Sequence, residues 1–301
     1  MKKIGLSIGA LQARYGIERA LQICAESGFD AVDLNLKSYG RGTFPVYADG
    51  EDAILSYFSR IGEYARSLGL TISQTHGRTR IATSDEAFSK QMKWVTQADL
   101  LATKALGAPY CVIHSLTTKA FPNADGEWMQ RNNLAFFSEL SRYAEQYGVS
   151  IALETFGDSE ANGVRVIDYF GDSRELKRCY DALDTPNKAI CLDTGHTNKA
   201  YAIGTPDGQA VPSPVEAVHL FGNAIRVLHL NDNNGFTDQH LPPMCKMEGG
   251  VAWSELYAAL DAIGYDGVYN FELSLANYGA ALEDAVHFLG GYLRQSVEGK
   301  L

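Results

Sequence analysis

Tyr147-Gly148-Val149-Ser150-Ile151-Ala152-Leu153-Glu154 joins the end of an amphipathic stretch, a glycine turn, a short apolar run and a terminal carboxylate. Glycine directly after a helical pattern supplies the left-handed C-cap, and the next strand follows within a few residues. The same order recurs along the chain. It is present in Ser27-Gly28-Phe29-Asp30-Ala31-Val32-Asp33-Leu34, in Ser67-Leu68-Gly69-Leu70-Thr71-Ile72-Ser73 and in Leu106-Gly107-Ala108-Pro109-Tyr110-Cys111-Val112-Ile113. It closes with Ile263-Gly264-Tyr265-Asp266-Gly267-Val268-Tyr269. Each is the αβ junction of a βα repeat.

Apolar runs predict eight strands, near 3–8, 30–36, 70–75, 110–114, 149–154, 188–193, 225–230 and 268–273. Helical patterns lie near 17–27, 51–68, 85–106, 128–147, 173–184, 214–223, 253–263 and 279–295. The stretch 51–68 shows the spacing well, with Ile54, Leu55, Phe58, Ile61, Tyr64 and Ala65 on one face. Eight alternating units in 301 residues predict an α/β fold, a (β/α)8 TIM barrel forming a single domain over 1–301. A doubly wound open sheet is the alternative, but no GxGxxG or GxxxxGK[ST] follows a strand. Two connections, 37–50 and 231–252, are long. Both follow a strand, which in a barrel puts them on the C-terminal face where active sites form.

The composition, 46% hydrophobic and 21% charged, excludes disorder. Acidic residues outnumber basic ones, 36 to 26, for a formal charge of -10. Such a surface disfavours nucleic acid, whose non-specific binding depends on Lys and Arg neutralising phosphates, and gives no polybasic membrane contact. Cysteines at 24, 111, 179, 191 and 245 form no CxxC and predict buried, reduced thiols. No apolar leader and no apolar stretch of about 18 residues is present, so a cytoplasmic protein is expected.

The polar residues at the strand ends carry the functional signal. The predicted strands end in His76, His114, Glu154, Asp193, His229 and Glu272, with His196 just after Asp193 and Asp238-Gln239-His240 in the long loop. One histidine at a strand end is ordinarily a satisfied structural residue, and a lone acid there a helix cap. Five of the seven histidines occupy these positions; His219 and His287 fall in helical patterns and read as structural. Strand ends of a barrel converge on one rim, and carboxylates gathered there need a cation. Glu154, Asp193, His229 and Glu272 therefore form the expected core metal site. Three carboxylates and one imidazole suit Mn²⁺ or Zn²⁺, with Mg²⁺ or Co²⁺ as alternatives, and the absence of thiolates argues against a structural zinc site. Lys199, Arg78 and Arg80 are candidates to bind phosphate or hydroxyl groups, against a plain surface role. Tyr39, Phe44, Phe156 and Trp253 are candidates to stack on a sugar, against core packing.

On Leu153-Glu154, Asp193-Thr194-Gly195-His196, His229-Leu230-Asn231-Asp232 and Glu272, the chain resembles the xylose isomerase-like barrel superfamily, also called AP endonuclease family 2. That group includes sugar isomerases, ketose 3-epimerases, inosose dehydratases and endonuclease IV. Its epimerase branch implies one divalent metal on Glu154, Asp193, His229 and Glu272, the two glutamates as acid and base, and His196 as a substrate ligand. Its endonuclease IV branch implies up to three zinc ions, with His76, His114, His196, Asp238 and His240 as further ligands. Two readings follow from the resemblance. One is a sugar or sugar-phosphate isomerase or epimerase, with an inosose dehydratase-like lyase inside the same chemistry. The other is a phosphodiesterase acting on abasic DNA, which the charge of -10 disfavours. A barrel that binds metal and ligand without turnover is a third. Its partners are then a small sugar or polyol and, as the related barrels imply, a second copy of the chain in a homo-oligomer.

Overall fold

The computed structural model describes the chain except residues 40–44, 80, 205–209, 244–246 and 301, so Phe44, Arg80 and Cys245 lie outside the described residues. Eight of its strands are β1 (Ile4–Ser7), β2 (Ala31–Asn35), β3 (Thr71–His76), β4 (Tyr110–Ile113), β5 (Ser150–Glu154), β6 (Lys188–Asp193), β7 (Ile225–His229) and β8 (Tyr269–Phe271). All pair in parallel in the order β8-β1-β2-β3-β4-β5-β6-β7. A bridge between Leu230 and Phe271 brings the edges of β7 and β8 together: Leu230 N donates to Asn270 O at 2.8 Å and Glu272 N to Leu230 O at 3.1 Å. The result is a nearly closed TIM barrel.

Helices between the strands include Glu51–Ser67, Glu86–Leu106 and Gly126–Tyr147, close to the bounds that the apolar spacing predicts. Gly107 (φ 77°) and Gly148 (φ 70°) take the left-handed cap conformation anticipated from the junction motif. No helix among the described residues is long and apolar enough to cross a membrane. Cys24, Cys111, Cys179 and Cys191 are free and buried.

Several elements escape the periodicity, among them one helix and one hairpin at the mouth. The helix Thr194–Ile203 buries mainly polar side chains, among them Thr194, Thr197, Asn198 and Lys199, and so carries no apolar stripe. An antiparallel hairpin, Asp158–Ala161 with Val164–Ile167, rises from the rim after β5. Its signal is the dipeptide Asn162-Gly163: both residues have positive φ, 53° and 76°, as a two-residue type I′ turn demands.

Period-2 alternation places the site. Ile113, Leu153, Leu192 and Leu228 belong to the large core between sheet and helices. Val112, Ala152, Ala189, Cys191 and Val227 form a separate small cluster, the interior of the barrel. Two residues further along the same inward face come His114, Glu154, Asp193 and His229. The interior thus changes from small apolar groups to donors one layer higher, at the C-terminal mouth.

Candidate metal centre

His76, Glu154, His229 and Glu272 bring one donor atom each to within 4.8 Å of one another. His114 joins them, its Nε2 lying 2.7 Å from Glu154 Oε2. Glu154 Oε1 lies 2.8 Å from His229 Nδ1, and Glu272 Oε2 lies 3.2 Å from the same nitrogen. Two further groups share the mouth: Glu154 with Asp193 and His196, and His196 with Asp238 and His240. The structure therefore brings Glu154, His229 and Glu272 together as anticipated. It adds His76 to them and sets Asp193 in a neighbouring group that shares Glu154.

The ring nitrogens are oriented by the backbone. Nδ1 of His76 faces Gly77 O at 3.0 Å, Nδ1 of His196 faces Thr155 O at 3.1 Å, and Nδ1 of His240 faces Glu272 O at 2.9 Å. A carbonyl only accepts, so each Nδ1 carries its proton and each Nε2 keeps a lone pair in the neutral ring. Those Nε2 atoms point at carboxylates: His76 at Glu154 (3.8 Å), His196 at Asp238 (3.6 Å) and His240 at Asp238 (3.3 Å).

Several of these buried atoms lack a hydrogen-bond partner. His114 Nε2 and Glu154 Oε2 are 2.7 Å apart yet misaligned, and both are unsatisfied. Orphaned donors and acceptors are rare in folded interiors and costly, at about 1–3 kcal/mol each. Lone pairs aimed at a common point instead of at one another fit a divalent cation. Oxygen and imidazole nitrogen are the donor set of Zn²⁺ and Mn²⁺.

The electrostatics divide the donors: Glu154 and His76 are held toward their ligating forms, and Asp193, His196 and His240 toward their protonated ones. Burial favours the neutral acid at Glu154, but His114 and His229 outweigh it and hold the carboxyl well below its ordinary value. Burial pushes the Asp193 carboxyl up. Burial also drives His76 well below the ordinary imidazole value, toward the neutral ligating form. At His240 burial opposes charge, yet Asp238 and Glu272 raise the pKa to about 9.

Asn231, Asp232 and Asn233 hold the long loop in place. Asn231 Nδ2 donates to both oxygens of Asp193 at 3.2 Å, and Asp193 Oδ1 also caps the helix that carries His196, accepting from His196 N at 2.8 Å. Asp232 ties the loop down by accepting from Val251 N at 2.9 Å and Trp253 Nε1 at 2.8 Å. Gly195 is required by this approach, since a methyl group there would lie 1.9 Å from Asn231 Oδ1.

Other sequence candidates separate clearly. Lys199 is buried at the edge of the site and pairs with Asp158 at 2.7 Å. Arg78 is neither a phosphate ligand nor a surface charge. It is buried and grips Asp99 through Nε and Nη2, both at 2.9 Å, while Tyr47 donates to Asp99 at 2.7 Å. Tyr39 packs on Tyr57 and Phe58, and Trp253 on Tyr257, as core residues. Phe156 is at the site, 5.1 Å from the rings of both His114 and His196. His219 is exposed on its helix, and His287 contacts Ser27 far from the mouth.

One residue with a place in the site is absent from the sequence reading. Asp33 points inward from β2, and its Oδ2 lies 3.2 Å from His229 Nε2. Ser7 Oγ donates to that oxygen at 2.7 Å, and Asn270 Nδ2 donates to Ser7 Oγ at 3.2 Å. Its signal was the inward parity of Asp33 on a strand whose neighbours are apolar.

The chain resembles known proteins along its whole length. The inosose isomerase of Halalkalibacterium halodurans is 24% identical over 64% of this chain and 63% of that one. The ketose 3-epimerase of Arthrobacter globiformis is 24% identical over 85% and 77%. An uncharacterized protein of Methanocaldococcus jannaschii is 34% identical over 47% of this chain and 42% of its own length. The chain thus spans less than two thirds of the length of two of these relatives. Among solved structures, a D-tagatose 3-epimerase-like protein superposes with a TM-score of 0.72 at 22% identity, covering 99% of both chains. The IolI protein, solved with a bound zinc atom, superposes with 0.74 at 18% identity, covering 99% and 98%. These superpositions establish the fold. The model of the family described as xylose isomerase-like TIM barrel matches residues 21–290, and the chain belongs to that family.

Proposed function

We propose that the chain is a divalent-metal-dependent isomerase or epimerase of a small sugar or polyol, moving a proton next to a carbonyl. The observation that carries this is the convergence of His76, Glu154, His229 and Glu272 within 4.8 Å, with the unsatisfied Glu154 Oε2 and, beside it, His114 Nε2 buried there. The ketose 3-epimerase and inosose isomerase relatives support the same class of chemistry. His76, Glu154, His229 and Glu272 would hold the metal, with Asp193 and His196 beside them. When bound, a divalent cation supplies the Lewis acid that stabilises negative charge on the substrate oxygens.

The rest falls to the chain's own groups. Glu272 has the more open carboxylate, 20% exposed against a fully buried Glu154, and takes the proton from carbon at the mouth. Glu154, fixed by His229, serves as its acid/base counterpart. His196 and Lys199 orient hydroxyl groups, and Phe156 shields the reacting centre from water. The single domain, the cytoplasmic setting and a homo-oligomer complete this reading.

The test is a screen of ketoses and keto-inositols with metal-stripped and metal-restored protein, beside an abasic-DNA incision assay and metal counting. Activity restored by metal, and lowered about 10²–10⁴-fold by Glu272→Gln, is expected. A Glu272→Gln variant that isomerises every active sugar at the normal rate would sink the assignment. One specific observation favours a second reading, a multinuclear phosphodiesterase: the group His196, Asp238 and His240 lies beside the first. Incision of abasic DNA together with three metal ions per chain would select it.

A further inference from the structure

Beside the metal centre lies an open cleft of about 600 Å³. That is within the roughly 300–1,000 Å³ usual for small-molecule sites. It shares two residues with the centre. Phe156 forms part of its wall while touching the rings of His114 and His196. Lys199 lines it too, with its Nζ 3.9 Å from Asp238. The metal-binding candidates themselves do not line it, so a group seated here adjoins the reacting centre without occupying it.

The wall chemistry selects the occupant. Thr79, Thr83, Thr117 and Ser159 contribute hydroxyl groups. Thr83 Oγ1 accepts from Asp85 N at 3.1 Å and Thr117 Oγ1 from Ala120 N at 3.2 Å, so each keeps its own O–H to donate. Ser159 Oγ donates to Asp168 at 2.5 Å and keeps lone pairs to accept. The charges balance. Lys119 and Lys199 share the lining with Asp158 and Glu160, and Asp158 already binds Lys199 at 2.7 Å and Arg165 at 2.6 Å. A phosphate held by Lys199 would have to displace Asp158, and any phosphate would share the cleft with Glu160, with no arginine fork among the described lining residues. A neutral polyhydroxylated ring meets hydroxyls on its edge and Phe156 on its face, and leaves these ion pairs intact.

The geometry points to a second sugar subsite: the cleft takes an uncharged glycosyl group attached to the sugar that reacts at the metal. This rests on the isomerase or epimerase reading and makes the substrate a glycoside or disaccharide instead of a sugar phosphate.

The experiment measures binding to metal-loaded protein by titration calorimetry, with turnover followed separately. The probes are D-fructose, D-fructose 6-phosphate and three glucosyl-fructoses with different linkages: turanose, maltulose and isomaltulose. At least one glucosyl-fructose is expected to bind tenfold or more tightly than fructose, equivalent to about 1.4 kcal/mol, and the phosphate no better than fructose. Thr117→Val, which keeps the side-chain shape but cannot donate, should bring that disaccharide back toward fructose, and Thr117→Ser should restore the gap. Preference for the phosphate, equal binding of fructose and all three disaccharides, or binding of none, overturns the subsite. Disaccharide preference without turnover of any ketose would retain the subsite and count against the isomerase reading.

Discussion

Asp33→Asn isolates an ionic contact that reaches the site from behind. The substitution keeps the side-chain size and removes the charge 3.2 Å from His229 Nε2. A carboxylate behind a metal-binding imidazole fixes its tautomer and raises the basicity of the opposite nitrogen, here Nδ1, which faces Glu154 and Glu272. Loss of such a partner typically costs 10–100-fold in metal affinity, or about 1.4–2.8 kcal/mol. The effect should also show in melting. Metal at about 100 times its Kd adds roughly 2.7 kcal/mol to the folded state, and a tenfold weaker site retains only about 1.4. The metal-induced rise in Tm should therefore fall by about half. Competition against a chromophoric chelator gives the affinity directly, and melting with and without metal gives the linked change. Ser7→Ala, which removes only the donor to Asp33 Oδ2, should cost less. An Asp33→Asn affinity within twofold of the parent would refute the role of this contact.

Two further predictions concern stability. Asp168 is buried, and burial raises its pKa to about 6 against the opposing hydrogen bonds of Ser159 and Thr118. An acid with a raised folded-state pKa contributes most below its unfolded value, near 4, and that contribution is lost as pH rises through about 6. Asp168→Asn should remove this slope and stabilise the protein at pH 7 by at most on the order of 3 kcal/mol, read from urea unfolding across pH 4–7; an unchanged slope would count against it. Asp99→Asn leaves the Arg78 guanidinium buried without its counter-charge and should cost about 3–5 kcal/mol, whereas Asp99→Leu combined with Arg78→Met should recover much of that loss. Equal stability of Asp99→Asn and the parent in denaturant titration would contradict the buried-pair assignment.

The barrel is legible in the chain because its signals are local. A glycine cap, a period of 3.6 and a period of 2 all lie within a dozen residues, so strands such as Ser150–Glu154 and helices such as Glu51–Ser67 are found to within a few positions. The donors are legible for the same reason: a polar residue ending an apolar strand stands out in one dimension, as at His76, Glu154 and His229. The helix Thr194–Ile203 is not, because the face it buries is largely polar and leaves no apolar stripe.

What no stretch of sequence carries is which residues meet. Arg78 finds Asp99 across 21 positions and so becomes a core ion pair, although the sequence offers it as a candidate to bind phosphate or hydroxyl groups. Asp33 finds His229 because β2 and β7 point their inward faces into the same narrow barrel. Asp193 parts from Glu272 and joins His196 because Asn231 and the helix start hold its carboxylate. Periodicity is a property of neighbours along the chain, whereas ion pairing and coordination depend on distance in space. Closure of the barrel sets that distance.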